Sequence, residues 1–220
     1  MAEERPSSDN RPATDNRPYL PTPVTLNSFA AQRARDEFWE EASEACFGLS
    51  VKLRRIAGEE EAGKVEEIAD KTLAEAFEKV RAERERLRQL REENGADRDP
   101  VFPNPRQEEV PVSSPRAGQF LGLIQQVDEL MTDLTALWQS GVFSDSQFDQ
   151  GVRRWEREIQ RLSGRLKQLT GRAIKLARSQ EGMEGLRPDG QSRTDQSGPD
   201  ANGQEDAAGE EADASAANEA

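Results

Sequence analysis

The chain has 220 residues, 34% hydrophobic and 33% charged, with a mean hydropathy of −0.91 and a net charge of −13. A chain this polar cannot offset the entropy of ordering its whole length by burying apolar surface, so the ordered core is smaller than the chain. It has no histidine and one cysteine, Cys46, which removes histidine-centred triads, histidine metal ligands, intramolecular disulfides and multi-cysteine metal sites.

No phosphate-cradling glycine loop, nucleophile elbow or spaced metal-ligand cluster occurs. The expectation is therefore a protein that is not an enzyme and takes no cofactor, metal or small-molecule substrate. Cys46, between Ala45 and Phe47, reads as a buried structural thiol. The first residues lack the apolar stretch of a signal peptide, and no apolar run approaches the roughly 20 residues that span a bilayer. A cytoplasmic protein is expected.

Residues 1–22 are polar and proline-punctuated, with a short repeat in Asp9-Asn10-Arg11-Pro12 and Asp15-Asn16-Arg17-Pro18. They are expected to form a disordered arm. Residues 23–95 form a helical segment. It opens on a β-prone stretch, Pro23–Ser28, with Asn27 or Ser28 as an N-cap. From Phe29 to Ala57, the residues Phe29, Ala30, Arg33, Ala34, Phe38, Ala42, Ala45 and Leu49 fall at helical spacing, with Gly48 a point of breakage or bending. From Lys64 to Glu93, Ala69, Leu73, Ala76, Val80, Leu87 and Leu90 make a narrow coiled-coil-like seam in which Glu83 is the one misfit. Asn94-Gly95 ends that helix.

Residues 96–115 read as a proline-rich linker with a possible short strand, Glu109–Ser113, of edge type because Pro111 cannot donate. Residues 116–178 give the clearest pattern. Phe120, Ile124, Val127, Met131, Leu134 and Trp138 alternate steps of four and three, as do Phe148, Val152, Trp155, Ile159, Leu162, Leu166, Leu169, Ala173 and Leu176. Gly141 stops the first run, and Ser144 with Gln147 forms a capping box for the second. The spacing predicts an antiparallel helical hairpin with Trp138 facing Phe148 and Met131 facing Trp155. Leu169, Ala173 and Leu176 overhang and are expected to support oligomerisation. Residues 179–220 hold eleven acids against Arg187 and Arg193 and are expected to be an acidic disordered tail.

Overall acidity hides a local reversal. Between Phe148 and Arg178, nine basic residues face three acids, and Arg154, Arg157, Arg161, Arg165, Arg172 and Lys175 lie near one helix face. A solvated face with local ion pairs explains this blandly; a phosphate-tracking stripe explains it functionally.

The order of short segments carries a resemblance. Leu26-Asn27-Ser28, Ala31-Gln32-Arg33, Phe47-Gly48-Leu49, Ser114-Pro115-Arg116-Ala117, Asp128-Glu129-Leu130 and Leu137 through Gly141-Val142 resemble the AcaB-like proteins of integrating conjugative elements and conjugative plasmids. That resemblance spans about Val24 to Leu176. It implies a mainly α fold with one or two short strands, ribbon-helix-helix-like and built by dimerisation, and a role in transcriptional regulation of transfer genes. Glu108, Glu109 and Pro111 stand in the expected ribbon, where a groove-reading strand favours basic and amide side chains. Ser113, Ser114 and Arg116, or the basic helix, are better placed to meet DNA. Two functions follow as expectations: a DNA-binding transcriptional regulator or accessory protein, homo-oligomeric and bound to duplex DNA; or a coiled-coil adaptor that binds only protein.

Overall fold

The computed structural model describes residues 16–184, with side chains to residue 180. The expected arm before residue 16 and the acidic tail from residue 185 onward lie outside the described residues. The elements are β1 (Leu20–Leu26), α1 (Phe29–Phe47), a π-helical turn (Gly48–Leu53), α2 (Arg54–Glu93), β2 (Arg106–Val112), α3 (Pro115–Gln139) and α4 (Asp145–Glu184). The fold is mainly helical with one two-stranded antiparallel sheet.

A strand–helix–helix unit thus occurs twice. Each strand has seven residues, and a single residue separates each from a capping serine. Ser28 Oγ accepts from Ala31 N at 3.2 Å, and Ser114 Oγ accepts from Ala117 N at 3.3 Å. The offset that relates Ser28 to Ser114 also relates Leu20 to Arg106 and Pro23 to Glu109. In the ribbon Leu20 pairs with Val112, Leu26 with Arg106, and Pro23 with Glu109. The central pair therefore joins equivalent positions, and a pseudo-twofold axis passes through it.

Helix packing obeys the same axis. α1 runs antiparallel to α3, with Ser28 beside Asp128 and Ser50 beside Arg116. α4 runs parallel to α1: Ser163 Oγ donates to Phe38 O at 3.4 Å and Thr170 Oγ1 to Ala45 O at 3.1 Å. α2 runs parallel to α3 in the equivalent way, through Arg116 with Asp70 and Arg91 with Asp133. Trp39, Phe120, Leu49, Leu73, Leu130 and Ile159 are fully buried in the core between them.

Several expectations change. The ribbon was expected from dimerisation, yet one chain supplies both strands, because its two units pair with each other. The disordered arm was expected to reach residue 22, but β1 begins at Leu20; Pro21 and Pro23 exclude helix and are tolerated in a strand whose other edge is open. Gly48 does not break the first helix. It stays in right-handed helical conformation as the π turn begins, and its lack of a side chain serves close packing: a Cβ there would stand 2.7 Å from Thr170 Cγ2. The break comes at Gly58, whose φ of 78° and ψ of 174° suit glycine alone. The buried face of α1 and the π turn keeps Ala30, Ala34, Ala42, Ala45 and Leu49, as the spacing predicts, and is wider than expected. Trp39, Ala31 and Cys46 are buried, while Phe29 is 76% exposed. Burial pushes the Cys46 thiol up to about 12, as befits an inert structural group.

The hairpin of α3 and α4 holds near its turn, where Trp138 stacks on Phe148 with ring centroids 4.9 Å apart. Further along, α1 packs against both helices. Leu169 and Ala173, expected to overhang, are half-buried on the core, and of the three only Leu176 is exposed.

Candidate nucleic-acid interface

α4 is launched by a firm turn. Val142 N donates to Leu137 O and Gly141 N to Trp138 O, both at 3.0 Å, the paired bonds of a Schellman stop with Gly141 at φ 76°. Ser144 and Gln147 then form the expected reciprocal cap: Ser144 N donates to Gln147 Oε1 at 2.9 Å and Gln147 N to Ser144 Oγ at 3.3 Å. Trp138 Nε1 donates to Asp145 Oδ1 at 2.7 Å, tying the preceding helix to the first turn of α4.

From this start the side chains of α4 sort into two faces. Trp155, Ile159, Leu162, Ser163, Leu166 and Thr170 are buried. Arg154, Arg157, Arg161, Arg165, Arg172 and Lys175 are exposed on the other side. From Arg154 to Lys175 this stripe runs about 31 Å at the helical rise. Arg154 lies over the Trp155 ring at 5.6 Å, Arg157 Nε donates to its own helix at Arg153 O, and Arg161 pairs with Glu158 at 2.7 Å. Arg165, Arg172 and Lys175 have no carboxylate partner among the described residues.

The pseudo-twofold supplies an internal control. Over the window of α2 equivalent to Phe148–Arg178, eight bases are matched by eight acids, and many are paired, as in Arg86 with Glu83, Arg81 with Glu78, and Arg91 with Asp133 and Asp99. Cationic excess is a property of α4 and is not a requirement of the fold.

Three residues expected at the interface lie apart from the α4 stripe, and two of them have structural partners. Ser114 is buried as the cap of α3. Arg116 donates twice to Asp70 at 2.7 Å, reaches Ser50 Oγ at 3.2 Å and lies 3.3 Å from Glu66. Its charge is spent on holding α2 to α3, and these bonds raise its pKa. Ser113 is half-buried in the link beside the ribbon. None of the three joins the α4 stripe. The exposed side of the ribbon presents Pro21, Pro23 and Thr25 from β1 with Gln107 and Glu109 from β2, a surface without a cation.

Packing also adds residues that the sequence pattern omitted. Arg153 and Arg178 widen the exposed basic face. Arg33 of α1 meets Arg153 and Arg157 in a polar groove with Glu37 and Glu156, because α1 and α4 lie side by side in parallel. Nothing in the local sequence around Arg33 signals this.

The chain is similar to the crystal structure of selenomethionine-containing AcaB from uropathogenic E. coli, with a TM-score of 0.71 and 28% sequence identity over 81% of this chain and 94% of that one. That likeness supports an AcaB-like relationship. No protein-family model matches it, and no curated protein does. The segments that carry the AcaB-like resemblance fall at structural joints. Asp128 accepts from the backbone N–H groups of Asn27 and Ser28 at 2.8 and 2.7 Å, Gln32 donates to Leu26 O and Asn104 O, and Gly48 marks the α1–α4 contact. No helix among the described residues is long and apolar enough to cross a membrane.

Proposed function

We propose that the chain is a cytoplasmic DNA-binding regulator or accessory protein, of the mobile-element kind its AcaB-like character suggests, and that it is not an enzyme. The observation that carries this reading is the exposed basic face of α4, unmatched on the equivalent helix α2. Arginine forks suit phosphate oxygens, and a stripe about 31 Å long can follow one DNA backbone across several phosphates. Contacts of this kind position a protein on the duplex without reading its sequence. The cation-free ribbon surface, which carries Glu109, favours binding led by the DNA backbone over reading by the strands.

A mobility-shift titration with duplex DNA tests the reading. Replacing Arg157, Arg161 and Arg165 by Gln should weaken binding. It should also flatten the slope of log affinity against log salt by roughly 2.7, since each phosphate contact contributes about 0.9. An unchanged slope would sink the reading. The net charge of −13 and the cation-free ribbon support the second reading, an adaptor that binds only protein. That reading predicts no shift with duplex DNA at any salt concentration.

A further inference from the structure

Between α2, α3 and α4 lies a cleft of about 210 Å³. Ala76, Val80, Val127, Trp155, Ile159 and Leu162 give it apolar walls, and the last four together with Val80 are almost wholly buried. The cleft is partly open to solvent. Ala76 and Leu162, which occupy equivalent positions in the two units, both line it, and Ala76 contributes the smaller side chain. The volume falls below the roughly 300–1,000 Å³ of drug-sized pockets, so only a small ligand fits.

The mouth is charged. Glu75, Glu158, Arg161 and Arg165 rim it. Glu158 is already engaged by Arg161 at 2.7 Å and by Lys79 at 3.7 Å, whereas Arg165 has no carboxylate partner among the described residues. Counting Lys79, three cations face two acids, which leaves room for one negative charge. The geometry points to a binding site for a small amphipathic anion: a short acyl carboxylate whose chain lies against Trp155 and Ile159 and whose head engages Arg165. Because Arg165 and Arg161 also belong to the exposed stripe, a bound carboxylate competes with phosphate for them. That coupling rests on the DNA-binding reading; the site itself does not.

Calorimetric titration of the full chain with octanoate tests the site. One molecule should bind, and Ala76→Leu, which fills the cleft, should abolish binding while leaving the melting temperature at or above the wild-type value. Arg165→Gln, on an exposed position that does not bear on folding, should weaken octanoate about tenfold, the worth of a charge-assisted bond, and leave octanol unaffected. The site is overturned if wild type takes up no octanoate, or if a folded Ala76→Leu variant binds it as well as wild type does. Equal weakening of octanol and octanoate by Arg165→Gln overturns the anionic assignment. Octanoate should also weaken the shift of duplex DNA by wild type but not by Ala76→Leu. Octanoate binding without that effect overturns the coupling, and octanoate binding by a protein that never shifts DNA overturns the functional reading alone.

Discussion

Gly48 shows how one atom sets the distance between two helices. It sits where α1 and α4 come together, and the added Cβ of alanine would stand 2.7 Å from Thr170 Cγ2. Alanine favours the helix by about 1 kcal/mol over glycine, but overpacking typically costs about 1–3 kcal/mol, so Gly48→Ala should lower the melting temperature. Thr170→Ser removes the obstructing methyl and keeps the hydroxyl that donates to Ala45 O. The double variant should therefore be more stable than Gly48→Ala alone; if the two substitutions simply add, the contact is not the cause. Glu66 works through charge instead. It is buried, and hydrogen bonds from Arg54 at 2.7 Å, aided by Arg116, hold its carboxyl below the ordinary 4.5. A carboxyl depressed on folding contributes stability that is full above the unfolded value and lost as pH falls through the lowered one. Glu66→Gln should thus narrow the loss of melting temperature between neutral pH and pH below about 4.5. A variant that falls as steeply as wild type there would show that other groups carry the acid dependence.

At the scale of elements, the sharpest device is the corner at Gly58. α1 continues through its π turn to Ala57, and the chain then doubles back so that Arg54 meets Glu66 across the corner. With φ at 78° and ψ at 174°, any side chain at Gly58 is strained by about 1–3 kcal/mol, although nothing lies within 4 Å of its position. Gly63, inside α2 and equally open, carries no such demand. Gly58→Ala should therefore destabilise the protein while Gly63→Ala raises its melting temperature, and like effects from both would show that the corner makes no special demand on Gly58. These elements were unequally legible in sequence. α3 and α4 were plain because an unbroken apolar seam and a capping box are local signals. The face of α1 was legible in part: Ala30, Ala34, Ala42 and Ala45 are buried as their spacing predicts, while part of what it packs against on α4 is polar, with Ser163 and Thr170 bonding directly to its carbonyls. β1 was half hidden by its prolines. Arg116 looked available because Asp70, which consumes it, lies 46 residues away, whereas the α4 stripe was legible since all its members share one helix.

The repeat of strand–helix–helix becomes visible only at the scale of the molecule, since the two units share little beyond a seven-residue strand and a capping serine. Its consequence is that the chain closes its own ribbon and is freed to make its two halves different. One outer helix is electrically balanced and the other carries the stripe. The field in which that stripe works is set by the rest of the sequence, and residues 185–220 add nine acids against two arginines. Net negative charge raises the work of approaching DNA, and this work falls as salt screens it over a Debye length of about 10 Å at 0.1 M. Deleting residues 185–220 should therefore tighten binding to duplex DNA, most strongly at low salt, and the advantage should fade as salt rises. The Arg157, Arg161 and Arg165 substitutions should weaken the truncated chain as they do the full one, because they act on contacts rather than on overall charge. A truncated chain that ignores duplex DNA at low salt yet still captures a protein partner would replace the regulator with the adaptor.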